Sequence, residues 1–315
     1  MAEQIKKATR ESFGQALKDL AAEYPNLVVL DADLAEATKT VTFKKACPER
    51  FIDCGIAESN MIGVAAGLAA AGKIPVAASF AMFTTGRAFE QVRNSVGYPH
   101  LNVKIVGTHA GVSVGEDGAT HQCLEDIALM RTIPGMTILN PCDHYEALAA
   151  VKAMLDYEGP VYLRLGRLAV DALNLNDDYT FEMGKGVTLR EGNDVTLIAT
   201  GLVVQEAVQA ADLLKAEGIS ARVINIHTIK PLDEDIVLKA AKETGCIVTC
   251  EEHNVIGGLG DAVAAVLAEN YPTPLVKVGV HDQFGHSGPG AKLLDDFGFR
   301  APELVKAAKA SIAKK

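Results

Sequence analysis

Gly107-Thr-His-Ala-Gly-Val-Ser-Val-Gly-Glu-Asp-Gly-Ala-Thr-His-Gln122 is the stretch from which the fold is read. It follows Asn102-Val-Lys-Ile-Val, an apolar alternation that predicts a strand, and precedes the helix-like Cys123 to Arg131. It is therefore expected to be a loop leaving a strand end at a sheet edge, and open α/β sheets place their chemistry at such ends. Its four glycines let the backbone bend close to a ligand, and His109, Glu116, Asp117 and His121 can bond hydroxyls or move protons. An ordinary solvated crossover loop is the competing reading. Two histidines in one such loop favour function.

Working outward, the chain reads as alternating strands and helices. Leu27-Val-Val-Leu, Phe51-Ile-Asp-Cys, Ile74 to Ser79, Asn102 to Val106, Met136 to Leu139 and Pro160 to Arg164 are strand candidates. Helical patterns lie between them, among them Phe13 to Tyr24, a small-residue helix opening near Glu58, Thr84 to Ser95, and Asp143 to Asp156. Periodicity lapses between Ala169 and Gly186, around Asn174, Asn176, Asp177 and Asp178, which predicts a linker. Alternation resumes with strands at Asp194 to Thr200, Ala221 to Ile226, Cys246 to Cys250 and Pro274 to Val280. The expected fold is α/β, with a first domain at 1–170, a linker at 171–185 and a second domain at 186–315, each a mostly parallel sheet flanked by helices.

The 315 residues suit two domains on a scale of roughly 150 residues each. Apolar residues at 49% and charged residues at 22% describe a globular protein rather than a disordered one. Thirty lysines and arginines against 40 acids give a net charge of −10, which argues against nucleic acid or an anionic membrane as partner. An anionic substrate must then meet locally placed cations. The six cysteines form no C-x-x-C pair and no zinc spacing, so they read as reduced packing residues and point to a cytoplasmic location. The first residues lack a signal-peptide core, and Met61 to Ala71 is too short to cross a bilayer.

Two glycine motifs are read as structural. Gly257-Gly-Leu-Gly-Asp lacks dinucleotide spacing and a Lys-Ser/Thr ending, so tight helix entry is the better account. Gly115-Glu-Asp-Gly is not followed by the asparagine of a diphosphate-binding signature.

Six motifs together carry a resemblance. Gly55-Ile-Ala-Glu-Ser, Ser79-Phe-Ala-Met-Phe, Thr108-His-Ala, Gly115-Glu-Asp-Gly-Ala-Thr-His-Gln, Lys230-Pro-Leu-Asp and Phe284-Gly-His-Ser-Gly with Phe297-Gly-Phe occur in this order over essentially the whole chain. They resemble the pyrimidine-binding and C-terminal domains of transketolase, and the chain is similar to the C-terminal subunit of a two-chain transketolase. The resemblance implies thiamine diphosphate as cofactor. It also implies Mg²⁺ or a similar metal held by an N-terminal partner subunit that carries a Gly-Asp-Gly…Asn signature, with no metal ligand in this chain. Self-association into a heterotetramer is expected with that partner.

By the same resemblance, Glu58 hydrogen-bonds the aminopyrimidine and promotes its imino tautomer, and Phe80 and Phe83 stack around that ring. Asp33 and Leu34 lie near the cofactor. His109 and His121 act in catalysis, and with Asp117 they hold the substrate's hydroxyls, while Arg10 and Arg167 bind its phosphate. A helix-start acid for Glu58, plain core for the two phenylalanines, a helix-start cation for Arg10 and a turn acid for Asp33 are the structural alternatives. The family's third aromatic is Gly86 here, with Arg87 next, and its phosphate-binding serine is absent, with Ala37 in the nearest register and Thr38 following. The expected activity is transfer of a two-carbon ketol unit from a ketose phosphate to an aldose phosphate. The alternatives weighed are a 1-deoxyxylulose-5-phosphate synthase-like enzyme, an oxo-acid dehydrogenase beta subunit and a non-catalytic interaction subunit.

Overall fold

The computed structural model describes residues 5–173 and 179–315. In chain order its first strands are β1 (Lys6–Ala8), β2 (Leu27–Asp31), β3 (Phe51–Asp53), β4 (Ile74–Phe80) and β5 (Lys104–Thr108). Then come β6 (Thr137–Leu139), β7 (Val161–Arg164), β8 (Ala169–Asp171), β9 (Val187–Arg190) and β10 (Val195–Ala199). The last are β11 (Ala221–Asn225), β12 (Thr228–Lys230), β13 (Ile247–Asn254) and β14 (Leu275–Val280).

Two helix-flanked sheets define two α/β domains. The larger has the order β12-β6-β7-β5-β4-β2-β3 and is parallel except for β12 against β6. The smaller, β14-β13-β10-β11-β9, is parallel except for β9 against β11. Strands covered by helices on both faces must be apolar throughout, and β2, β5, β10 and β11 are buried at every residue.

Two helices begin at side-chain caps. Asp143 accepts from the Glu146 backbone N–H at 2.9 Å and opens the helix His144–Asp156, and Asp233 does the same for Ile236 at 3.3 Å. At Leu259–Asn270 the orphan donors are met by a buried acid of this chain, because Glu251 accepts from the Leu259 and Gly260 N–H groups at 2.6 and 2.8 Å. The glycine-rich turn at Gly257 is thus helix entry, and its anion position is filled from within.

The loop beyond β5 leaves the end of a strand flanked by β4 and β7, and its segment Thr108–Gly115 is buried, unlike the ordinary solvated crossover loop of the competing reading. Two expectations change. The helix expected over Thr84 to Ser95 is mostly π-helical, with wide turns at Met82–Arg87 and Val92–Gly97 around a short α segment. The start of the expected linker is strand β8, which pairs antiparallel with β1; Asn174, Asn176, Asp177 and Asp178 lie outside the described residues.

The domains share a core and a polar weld. One apolar cluster runs from Met61 and Ile105 through Ile138 and Tyr162 to Ile198, Ile224 and Val263. At its rim Arg164 donates to Asp126 Oδ2 at 2.7 Å and to the Glu252 carbonyl at 2.8 Å, and Tyr162 donates to the same Asp126 oxygen at 2.6 Å. His253 Nε2 stands 4.0 Å from the other Asp126 oxygen. All these groups are buried. No helix among the described residues is long and apolar enough to cross a membrane.

Candidate active site

Because β2, β3, β4, β5 and β7 run parallel, the segments that follow them emerge on one edge of the sheet. Phe80 ends β4, His109 follows β5, Glu58 comes after β3, Asp33 after β2 and Arg167 after β7. Chain direction alone explains this gathering.

The aromatic groups form one body. The rings of Phe80 and Phe83 are 6.0 Å apart and nearly parallel, and His109 lies 4.0 Å from Phe80. His121 meets Phe83 edge-on at 5.2 Å and Phe80 at 6.2 Å. At the far side the Arg87 guanidinium carbon stands 4.4 Å over the Phe83 ring, and Arg87 Nη1 donates to Glu58 Oε2 at 2.8 Å. Glu58 is only 2% exposed, whereas Arg87 is half exposed.

Arg87 is the residue to which sequence reasoning assigned no role. It follows Phe83 by four positions, which puts both on one helical face, and that spacing was the available signal. At Gly86 an added Cβ would meet the end of the Met82 side chain, so the missing aromatic's place is taken partly by Met82 and Arg87 covers the Phe83 face.

His109 takes a left-handed backbone, φ 56°, and its Nδ1 is 2.9 Å from the Thr108 hydroxyl. Burial, with Arg10, Arg167, Lys39 and His121 nearby, pushes its pKa down from 6.5 to about 3. Its imidazole is neutral at physiological pH, so one ring nitrogen accepts. Arg167 Nη1 donates to the Val114 carbonyl and lies 3.1 Å from Glu116. Arg10, in the first turn of the helix Thr9–Leu20, donates to the Ala37 carbonyl at 2.6 Å. Burial lowers its pKa; Glu11 works the other way and Arg167 adds repulsion.

Asp117 is exposed on the turn after Glu116. Asp33, φ 62°, and Leu34 line a separate recess with Glu36, Lys44 and Asp53. Among the described residues no side-chain hydrogen bond or ion pair joins Asp33 or Leu34 to the aromatic group.

The second domain braces the histidine loop. Glu252 accepts from the Ser113 N–H at 2.6 Å, and Gln122 donates to the Val112 carbonyl at 3.1 Å and to the His286 carbonyl at 2.9 Å. Gly118 packs on Ser287, and any Cβ there would collide with it. No motif in the sequence marks Glu252 for this task.

A flat apolar wall with a buried carboxyl at one edge fits an aminopyrimidine: the ring stacks and the acid bonds its edge nitrogens. Among the described residues no group of three or more His, Cys, Asp or Glu could hold a metal ion.

Residues 5–171 match the family described as "Transketolase, pyrimidine binding domain", and residues 184–304 match "Transketolase, C-terminal domain". The chain belongs to the transketolase family. Transketolase-family domains imply dependence on thiamine diphosphate, in keeping with the slot. A "Putative transketolase C-terminal section" from Methanocaldococcus jannaschii is 49% identical over 96% of this chain and 95% of the relative. A "6-deoxy-6-sulfo-D-fructose transketolase subunit" from a Clostridium species is 48% identical, covering 95% of this chain and 92% of the relative. Among solved structures, a "Split gene transketolase, inactive beta4 tetramer" aligns with a TM-score of 0.91 at 52% identity, covering 98% of this chain and 99% of that one. This transketolase-family chain is thus similar along its length to relatives described as separate C-terminal sections or subunits.

Proposed function

We propose that this chain is the C-terminal subunit of a two-chain transketolase. It moves a two-carbon ketol unit from a ketose phosphate to an aldose phosphate, and works only with an N-terminal partner that holds the diphosphate and a divalent metal such as Mg²⁺. The single observation behind this reading is the contiguous set Glu58, Arg87, Phe83, Phe80, His121 and His109 at the carboxyl edge of the sheet. We read it as half of a cofactor site, with a ring slot and an acid at its edge.

Bound there, thiamine diphosphate supplies the nucleophilic carbon and the electron sink for the ketol unit. Phe80 and Phe83 orient the pyrimidine, and Glu58 holds a proton at its edge nitrogen. Arg87 keeps Glu58 in place through one carboxylate oxygen, which leaves the other for the ring. His109, neutral, accepts from or donates to a substrate hydroxyl, and His121 does so from the other side of Phe80. Asp117 contacts the sugar chain, Arg10 and Arg167 take the phosphate, and Asp33 and Leu34 border the cofactor.

The helix Glu58–Ala70 supports assembly. A Cβ at Gly63 or Gly67 would meet nothing within 4 Å, so this face is free for a close backbone approach by another chain. The split-gene relative is described as an inactive beta4 tetramer, and a heterotetramer with the N-terminal partner, acting in the cytoplasm, is the active assembly we propose. Relatives are named for 6-deoxy-6-sulfo-D-fructose and for apulose 4-phosphate, and we take the sugar served to differ between such subunits.

The test is reconstitution with a chain carrying the Gly-Asp-Gly…Asn half, thiamine diphosphate and Mg²⁺, followed by an assay of ketol transfer between sugar phosphates. A complex that forms and binds cofactor yet transfers no ketol unit to any aldose would overturn the reading.

A further inference from the structure

The turn after β2 reads Asp33-Leu-Ala-Glu-Ala-Thr-Lys-Thr, with no serine where the family resemblance leads one to expect a phosphate-holding serine. Thr38 does not replace it. Asp31, fully buried, draws the whole turn inward: it accepts from the Leu34 N–H at 2.6 Å, from the Thr38 hydroxyl at 2.7 Å and from the Thr40 hydroxyl at 2.8 Å. Ala37 offers only its carbonyl, and Arg10 already donates to that.

Lys39 is different. Its backbone is left-handed, φ 72°, a conformation that lysine seldom adopts and that the surroundings must hold. Gly14 permits it, because a Cβ there would come within 2.4 Å of the Lys39 carbonyl oxygen. Among the described residues the Lys39 ammonium forms no ion pair and no hydrogen bond. It is one of the cations, with Arg10 and Arg167, that bear on His109. Arg10 Nε is buried with no partner, and the acid paired with Arg167 is the exposed Glu116. The segments that carry the three cations meet: Arg10 donates to the Ala37 carbonyl, two residues before Lys39, and the Gly166 N–H, beside Arg167, donates to the hydroxyl of Thr9, beside Arg10, at 2.9 Å. Such a cluster is stable when an anion joins it.

We propose that Lys39 is a specificity-determining residue: together with Arg10 and Arg167 it grips the terminal tetrahedral oxyanion of the sugar, phosphate or sulfonate, at the place the missing serine leaves. This rests on the phosphate role proposed for the two arginines.

The experiment uses the reconstituted two-chain enzyme with Lys39→Gly, which suits the left-handed backbone, Lys39→Arg, and Arg167→Ala as comparator. Steady-state constants are measured for a ketose phosphate and for a short unphosphorylated ketol donor, with inhibition constants for inorganic phosphate and methanesulfonate. Lys39→Gly is expected to raise KM for the phosphorylated donor and the phosphate inhibition constant by about 10–100-fold. Its kcat should stay within about twofold, the unphosphorylated donor should be unaffected, and Lys39→Arg should restore most of the loss. A larger loss for phosphate than for methanesulfonate assigns the site to phosphate, and the reverse assigns it to sulfonate. If Arg167→Ala gives this pattern and Lys39→Gly does not, Lys39 is excluded while the phosphate reading stands. If neither variant separates the two donors, the phosphate reading falls and the role of Lys39 falls with it. Should the glycine variant unfold, Lys39→Asn, which also tolerates the turn, carries the same comparison.

Discussion

Arg87 binds Glu58 and Phe83 at once, donating to the carboxylate at 2.8 Å while its guanidinium lies 4.4 Å above the ring. Glu58→Gln keeps the volume and removes the charge, and Arg87, half exposed, can turn to water. Ketol transfer by the assembled enzyme should fall by about 10²–10⁴-fold, with the circular dichroism spectrum and unfolding midpoint nearly unchanged. Near-normal turnover by this variant would remove Glu58 from the mechanism.

His109 should remain neutral through the mildly acidic range. Its folded pKa of about 3 lies below the unfolded 6.5, so the unfolded chain takes up the proton first as pH falls. Its contribution to stability is complete above about pH 6.5 and is lost on descending toward pH 3. Histidine-selective NMR titration should show no His109 transition between pH 5 and pH 8; a midpoint near 6.5 would contradict the buried, cation-ringed site.

Asp126 and Arg164 are the test of the weld between the domains. Burial alone would raise the Asp126 pKa, yet Arg164 and His253 outweigh it and hold the carboxyl below its ordinary range. Arg164→Met strands that charge in the core and should cost about 3–5 kcal/mol in denaturant unfolding. A loss under about 1 kcal/mol would mean that water reaches the pair.

Gly67→Arg separates folding from assembly. The position is open in the single chain, and replacing a mid-helix glycine removes a propensity penalty of roughly 0.5–1 kcal/mol. The variant should fold at least as well as the parent but fail to self-associate or to join its partner in sedimentation velocity. Unchanged assembly would place the interface on another face.

Strands buried on both sides announce themselves as unbroken apolar runs, as Leu27-Val-Val-Leu does, and parallel order then sends the residues after them to one edge. That order places Glu58, Phe80, His109 and Arg167 along one edge, whereas the roles expected of them were legible only through the motifs that carry the family resemblance. Strands β1, β8, β9 and β12 are set by pairing rather than by pattern and were not foreseen, whereas the edge strand β3 was. The partners of Arg87 and Glu252 were hidden for a related reason: a long side chain's choice among contacts is tertiary.

Strand β12 belongs by sequence to the second domain but pairs with β6 at the margin of the first domain's sheet. A fragment cut within 171–185 would leave Thr137–Leu139 with a bare row of backbone donors and acceptors. Such a fragment is expected to aggregate by edge pairing, so gene truncations meant to isolate the cofactor slot should retain the segment through Lys230.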